Sequence, residues 1–205
     1  MFEALGGFEA PILLGLQSIR IIGLTQVMAF FSALGNGAFI WVLAGIIMLF
    51  FADKRDVGIV MILACIVTGI VCSLVLANIF GRVRPCDAGI DVTAVMGVSR
   101  AGMSFPSFHA AGGAAAAMVI ALMVGRAQAV PAVVLTLIIS FSRLFLGVSY
   151  PTDIIAGLIV GGALGIVVTW VYNQWLGALI REKFGARFDS HNKRTSVGKG
   201  KHSRY

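Results

Sequence analysis

The stretch SRLFLGVSYPTD, Ser142 to Asp153, decides the reading of this chain. It sets Arg143 and Asp153 at the two ends of a strongly apolar segment, with the hydroxyl of Ser149 between them. Ionisable side chains are costly in such surroundings and are retained where chemistry needs them. The question is what else in the chain meets them.

Composition sets the surroundings. The 205 residues have a mean hydropathy of +0.95 and only 12% charged residues, where a soluble domain carries about a quarter. The chain is expected to be an integral membrane protein. The N-terminus MFEALGGFEAPILL lacks a basic n-region and holds Glu3 and Glu9, so a cleavable signal peptide is not expected. Cys65 and Cys72 fall in one apolar run as small packed residues, Cys86 lies in a polar connection, and no metal-ligand spacing occurs. No cofactor and no metal are expected.

Uncharged runs place the helices. Ile21 to Ala52 holds two elements broken at Gly35-Asn36-Gly37, and Val57 to Phe80 is one long helix. Ala110 to Gly125 and Ala127 to Phe141 follow, parted by Arg126, and Ile154 to Ile180 is the last. The runs come near the roughly 20 residues that a bilayer demands. The expected fold is all-α, a bundle of six transmembrane helices over 21–180. Residues 1–20 form an N-terminal interfacial segment, with Phe8 to Arg20 mildly amphipathic. Residues 181–205 are expected to form a basic, disordered tail, its eight Lys/Arg against Glu182 and Asp189 giving +6 of the net +7.

A basic tail suits the cytoplasmic side of a cell membrane better than nucleic acid. With six spans the N-terminus is then also inside, as are the loop DKRD (53–56) and Arg126. Arg82, Arg84, Arg100, His109, Arg143 and Asp153 all come out on the outer face. Among them, Arg82 and Arg100, like Arg126, suit side chains that merely reach headgroups. Gly161 and Gly165 have the small-xxx-small spacing of close helix packing.

Three clusters converge: GRVRPC (81–86), SFPSFHAAGG (104–113) and the opening stretch. Arg84 and Arg143 are permanently charged donors suited to phosphate oxygens. Ser107 and the amides after it sit at a helix N-terminus, an anion site. His109 can protonate a leaving oxygen, and Asp153 can orient a neighbouring donor. The ionisable residues stand at the ends of spans and not at their centres, which disfavours a transporter.

These clusters resemble the membrane-bound type 2 phosphatidic acid phosphatases, relatives of the vanadium haloperoxidases. The family pattern is Lys-x6-Arg-Pro, Pro-Ser-Gly-His and Ser-Arg-x5-His-x3-Asp. Here it appears as Ala77…Arg84-Pro85, Pro106-Ser107-Phe108-His109 and Ser142-Arg143…Ser149…Asp153, in register over about residues 30 to 175. The resemblance implies a metal-independent hydrolase for a lipid phosphate or pyrophosphate, such as undecaprenyl pyrophosphate or phosphatidate, at the outer leaflet. Arg84, Ser107 and Arg143 would hold the phosphate, His109 would be the acid, and Asp153 would orient the nucleophile.

Three positions depart from the pattern. Ser149 replaces the nucleophilic His, Ala77 replaces the Lys, and Phe108 replaces a Gly whose backbone would approach the phosphate. A Ser oxygen falls short of the position of a His nitrogen and needs a base. One remaining route is a water held by Ser149 and activated by Asp153. The alternative is a protein that binds phospholipid headgroups without cleaving them.

Overall fold

The structure, a computed structural model, describes residues 2–89, 91–93, 95 and 102–176. The tail 181–205 and Arg100 lie outside the described residues. The described part is all-helical. The chain divides into a compact unit up to Thr169 and a second from Trp170, whose described residues include the π-helical turn Tyr172–Leu176. Exposed apolar side chains such as Val130, Val134, Leu137, Ile155, Ile159 and Ile166 cover the outer faces of the helices. The chain is a membrane protein: only lipid tolerates that surface, and helices satisfy the backbone polar groups within it.

Helix α1 spans Phe2–Ser18. Helices α2 (Ile22–Leu34) and α3 (Phe39–Leu49) are joined by a 3-10 turn, Asn36–Ala38. Helix α4 (Arg55–Gly69) passes through a π-helical stretch, Ile70–Leu76, into α5 (Ala77–Phe80). Helices α6 (Phe108–Met123), α7 (Arg126–Phe145) and α8 (Pro151–Val171) complete the bundle.

The break expected at Gly35-Asn36-Gly37 is present, and the helices on either side of it are short. Helices α2 and α3 have 13 and 11 residues, about 20 and 17 Å at 1.5 Å per residue, each short of a hydrocarbon core. Bent by 52° relative to one another, they are long enough to cross only as a pair. By length and composition three further helical stretches can cross, at Arg55–Asp87, Arg126–Phe145 and Pro151–Trp175, and α6 is a shorter apolar helix. The described elements therefore do not supply six separate spans of full length.

Helix α1 packs against the connections that follow α5 and α7. Leu13 packs with Val92 and Tyr150. The Gln17 amide donates to Asp91 O at 3.0 Å, and Arg20 donates to Phe145 O at 2.8 Å and to Thr93 O at 2.6 Å. From there α2 descends along α7, with Leu24, Met28 and Ala29 against Phe145, Leu146 and Val148. The expectation of an N-terminus opposite to the site came from counting α2 and α3 as two crossings. These contacts put α1 at the site's end of the bundle.

Helix α6 is the central rod. Its Ala- and Gly-rich sequence buries Ala110, Ala111, Gly112, Gly113, Ala115, Ala116, Ala117 and Val119. Ala favours the helix and its small side chain lets neighbours approach. Along α8, Gly157, Gly161 and Gly165 face Ser107, Ala111 and Ala115 so closely that a Cβ at any of them would meet that residue's backbone. The expected small-xxx-small packing is thus between α8 and α6, one glycine longer than the Gly161/Gly165 pair.

Candidate active site

The α6–α8 contact fixes the start of α6. The Ser107 amide donates to Asp153 O at 3.0 Å, so the N-terminus of α6 and the first turn of α8 are tied together. Ser107 is the residue before the first helical turn, yet its Oγ makes no capping bond. That hydroxyl is buried and has no hydrogen-bond partner among the described residues. It faces a cavity of about 230 Å³.

Arg84, Ser107, His109, Arg143 and Ser149 line that one cavity. The structure thus brings together five of the six side chains singled out in the sequence. Arg143 is 1% exposed, at the C-terminal turn of α7, and donates to Ser32 Oγ of α2 at 2.8 Å. Arg84 clasps backbone of the third cluster and of the residues just before the second: it donates to Val148 O at 2.7 Å, Gly102 O at 3.1 Å and Met103 O at 3.2 Å. The two guanidinium groups are close enough to repel one another, and both charges act on the His109 ring. Like charges gathered around a cavity favour an anion within it.

His109 lies on the first turn of α6, its Nε2 3.0 Å from Asn36 Oδ1. The α2–α3 break makes that pairing possible. Gly37 and Ala38 have φ of 59° and 56°, the left-handed region that glycine adopts freely and alanine at a cost. A Cβ on Gly35 would stand 2.7 Å from the His109 ring and 2.6 Å from Ile139, so only glycine lets α2 pass there.

The sixth side chain, Asp153, is fully buried and does not line the cavity. Its Oδ1 accepts from Arg82 Nη1 at 2.5 Å, and its Oδ2 accepts from the Ser104 hydroxyl and from the Tyr150 amide at 2.8 Å. Arg82 itself is 5% exposed, which corrects the expectation of a side chain reaching out to headgroups. It pairs through Nη2 with Glu9 of α1, donates to Thr152 Oγ at 2.7 Å, and stacks 3.8 Å over the Tyr150 ring. Burial pushes the Tyr150 phenol up, against the opposing pull of Arg82, so the ring under the guanidinium stays neutral.

The departures from the motif pattern sit in the same cavity. Ala77, at the end of the π-helical stretch, and Phe108 both line it. The Phe108 ring lies against Gly69 and Gly112, where an added Cβ would be 3.5 and 3.7 Å from it. Phe108 therefore forms a wall of the cavity, packed on α4, and is not turned out of it. Cys72, expected only as a packing residue, is buried in the π-helical stretch and also reaches the cavity.

Sequence reasoning missed Glu9, Ser32, Asn36 and Ser104. Their partners lie 49 to 111 residues away along the chain, and no local pattern announces them. Glu9 alone carried a signal, as an acid within an apolar segment.

What this arrangement can do is hold a tetrahedral anion between two Arg, a buried hydroxyl and a His. The groups of a phosphohistidine route are incomplete: position 149 is a Ser, and among the described residues the one imidazole lining the cavity is that of His109, whose Nε2 meets Asn36.

Known proteins share this architecture. The chain is similar to the phosphatidylglycerolphosphate phosphatase of PAP2 type from Bacillus subtilis, with a TM-score of 0.69 and 25% identity over 84% of this chain and 88% of that one. It is 24% identical to an undecaprenyl-diphosphatase of Sulfolobus acidocaldarius over 76% of this chain and 74% of the relative. It is 31% identical to a lipid A 4'-phosphatase of Bacteroides thetaiotaomicron over 63% of this chain and 56% of that protein. The sequence profile of the PAP2 superfamily matches residues 57–176, and with the three clusters meeting in one cavity the chain belongs to that superfamily of membrane lipid phosphatases.

Proposed function

We propose that this chain binds the phosphate or pyrophosphate group of a lipid in the cavity between Arg84 and Arg143 and does not turn it over by the family's covalent route. The observation that carries this reading is the meeting of Arg84, Arg143, Ser107 and His109 around one cavity in which position 149 is a Ser. Ser107 Oγ and the α6 amides add neutral donors, and His109 stands where a leaving oxygen needs a proton. Asp153 is committed to Arg82, Ser104 and the Tyr150 amide, so it supplies no base to Ser149. Phosphoryl transfer rests on positioning and charge, and those parts are retained while the nucleophile is not.

The ligand belongs to the class named for the relatives: a polyprenyl diphosphate, a glycerophospholipid phosphate or a lipid A phosphate. The test is phosphate release. The unaltered chain is expected to release none above background from a polyprenyl diphosphate, and Ser149→His to release it, more so with Ala77→Lys and Phe108→Gly added. Release by the unaltered chain that equals release by Ser149→His would sink the proposal.

The site faces the outer side of a cell membrane in this reading. Five crossings carry the chain: α2 with α3, α4 with α5, α6, α7 and α8, with α1 lying at the outer interface. The loop bearing Lys54 and Arg55, the exposed Arg126 and the basic tail then share the cytoplasmic side, as the positive-inside rule requires. In intact cells, with Cys86 replaced by Ser in both variants, a membrane-impermeant maleimide should label Ala88→Cys and spare Lys54→Cys. The reverse labelling would invert the topology.

A further inference from the structure

The superfamily profile begins at residue 57, yet three of the site's groups are held by residues before it. Ser32 of α2 accepts from Arg143 at 2.8 Å. Asn36 of the kink meets His109 at 3.0 Å. Glu9 of α1 pairs with Arg82, which in turn holds Asp153. Glu9 is 1% exposed, and its Oε1 also accepts from the Thr152 amide at 3.0 Å and the Thr152 hydroxyl at 2.6 Å. Each contact reaches a different part of the site from a different turn of the N-terminal segment.

We infer that the segment from α1 through Ala38 is a clamp that sets the site's geometry, with Glu9 and Ser32 as positioning residues and Asn36 orienting His109. The inference rests on the phosphate-binding reading above and extends it to a part of the chain that the superfamily pattern does not reach. Two features besides the hydrogen bonds support it. Ala38 is held in a left-handed conformation that an L residue adopts only where its surroundings require it. The kink it helps form puts Asn36 over the His109 ring, and Gly35 removes the atom that would block that approach. Furthermore, Glu9, Arg82 and Asp153 are all buried, and buried charges fix conformation because each depends on its partner. Through Thr152 and Asp153 the same group of contacts anchors the turn that carries Ser149.

Neither Ser32 nor Glu9 lines the cavity, so neither is placed to touch the ligand. Their effect has to pass through Arg143 and Asp153. The experiment is a calorimetric titration of the full chain in detergent with inorganic pyrophosphate. Ser32→Ala and Glu9→Gln are each expected to weaken binding roughly three- to tenfold, the range of a lost buried hydrogen-bond partner. Thr152→Ala gives a milder change in the same contacts should Glu9→Gln fail to fold. Positioning also predicts coupling: Ser32→Ala should have little further effect once Arg143 is replaced by Lys, whereas a loss of general stability would add to it. Unchanged affinity in Ser32→Ala and Thr152→Ala, or fully additive losses with Arg143→Lys, would overturn the clamp alone. Absence of pyrophosphate binding by the unaltered chain would overturn both the clamp and the reading on which it rests.

Discussion

Ser149 and Arg82 show how far single residues carry the argument. Ser149 was identifiable as the departure that removes the nucleophile, because the motif Arg, Ser, His and Asp positions around it are kept as Arg84, Ser107, His109, Arg143 and Asp153 while Ala77 and Phe108 depart beside it. The structure adds that Asp153 has its oxygens occupied by Arg82, Ser104 and the Tyr150 amide. An imidazole placed at 149 would restore a nitrogen nucleophile of greater reach, and Asp153 would have to admit it among those donors. The gain in Ser149→His is therefore expected to be partial. Ala77→Lys would return a positive charge to the transition state, and one such interaction is worth on the order of a hundredfold. Arg82 was the residue least legible from sequence. An Arg at the end of an apolar run looks the same whether it reaches solvent or turns inward, and its partners Glu9 and Asp153 lie 73 and 71 positions away.

Helices were legible where their apolar runs were long, and their breaks where glycine gathered. The runs located α4, α6, α7 and α8, and Gly35-Asn36-Gly37 marked the kink. What the pattern could not tell was whether two short helices cross separately or as one bent span, because that depends on the angle between them. The face of α8 that packs on α6 was partly visible as Gly161 and Gly165. Close packing there has a direct consequence. A side chain at Gly161 would drive into the backbone of Ala111 and push α8 off α6, moving Asp153 relative to Ser107. Gly161→Val is expected to destabilise the bundle by about 3 kcal/mol, the upper range for overpacking, seen as a lowered thermal midpoint in detergent. A midpoint equal to that of the unaltered chain would mean the two helices are less tightly apposed than described.

At the scale of the whole molecule, the buried charges among the described residues, Glu9, Arg82, Arg143 and Asp153, gather where the three sequence clusters and the N-terminal segment meet. Exposed apolar side chains cover the outer faces of the helices; in the proposed reading the lipid tail stays in the bilayer while the headgroup enters the cavity. Membrane immersion and the convergence of the clusters followed from composition and topology. The N-terminal contribution did not, since it depends on contacts formed only once the helices pack. The most direct measurement is a phosphorus NMR spectrum of a short-chain polyprenyl diphosphate mixed with the detergent-solubilised chain. The account predicts shifted, saturable signals from an intact diphosphate, lost in Arg143→Ala, with no inorganic phosphate appearing over many hours. Signals unmoved by the protein, or steady growth of the inorganic phosphate resonance, would contradict it.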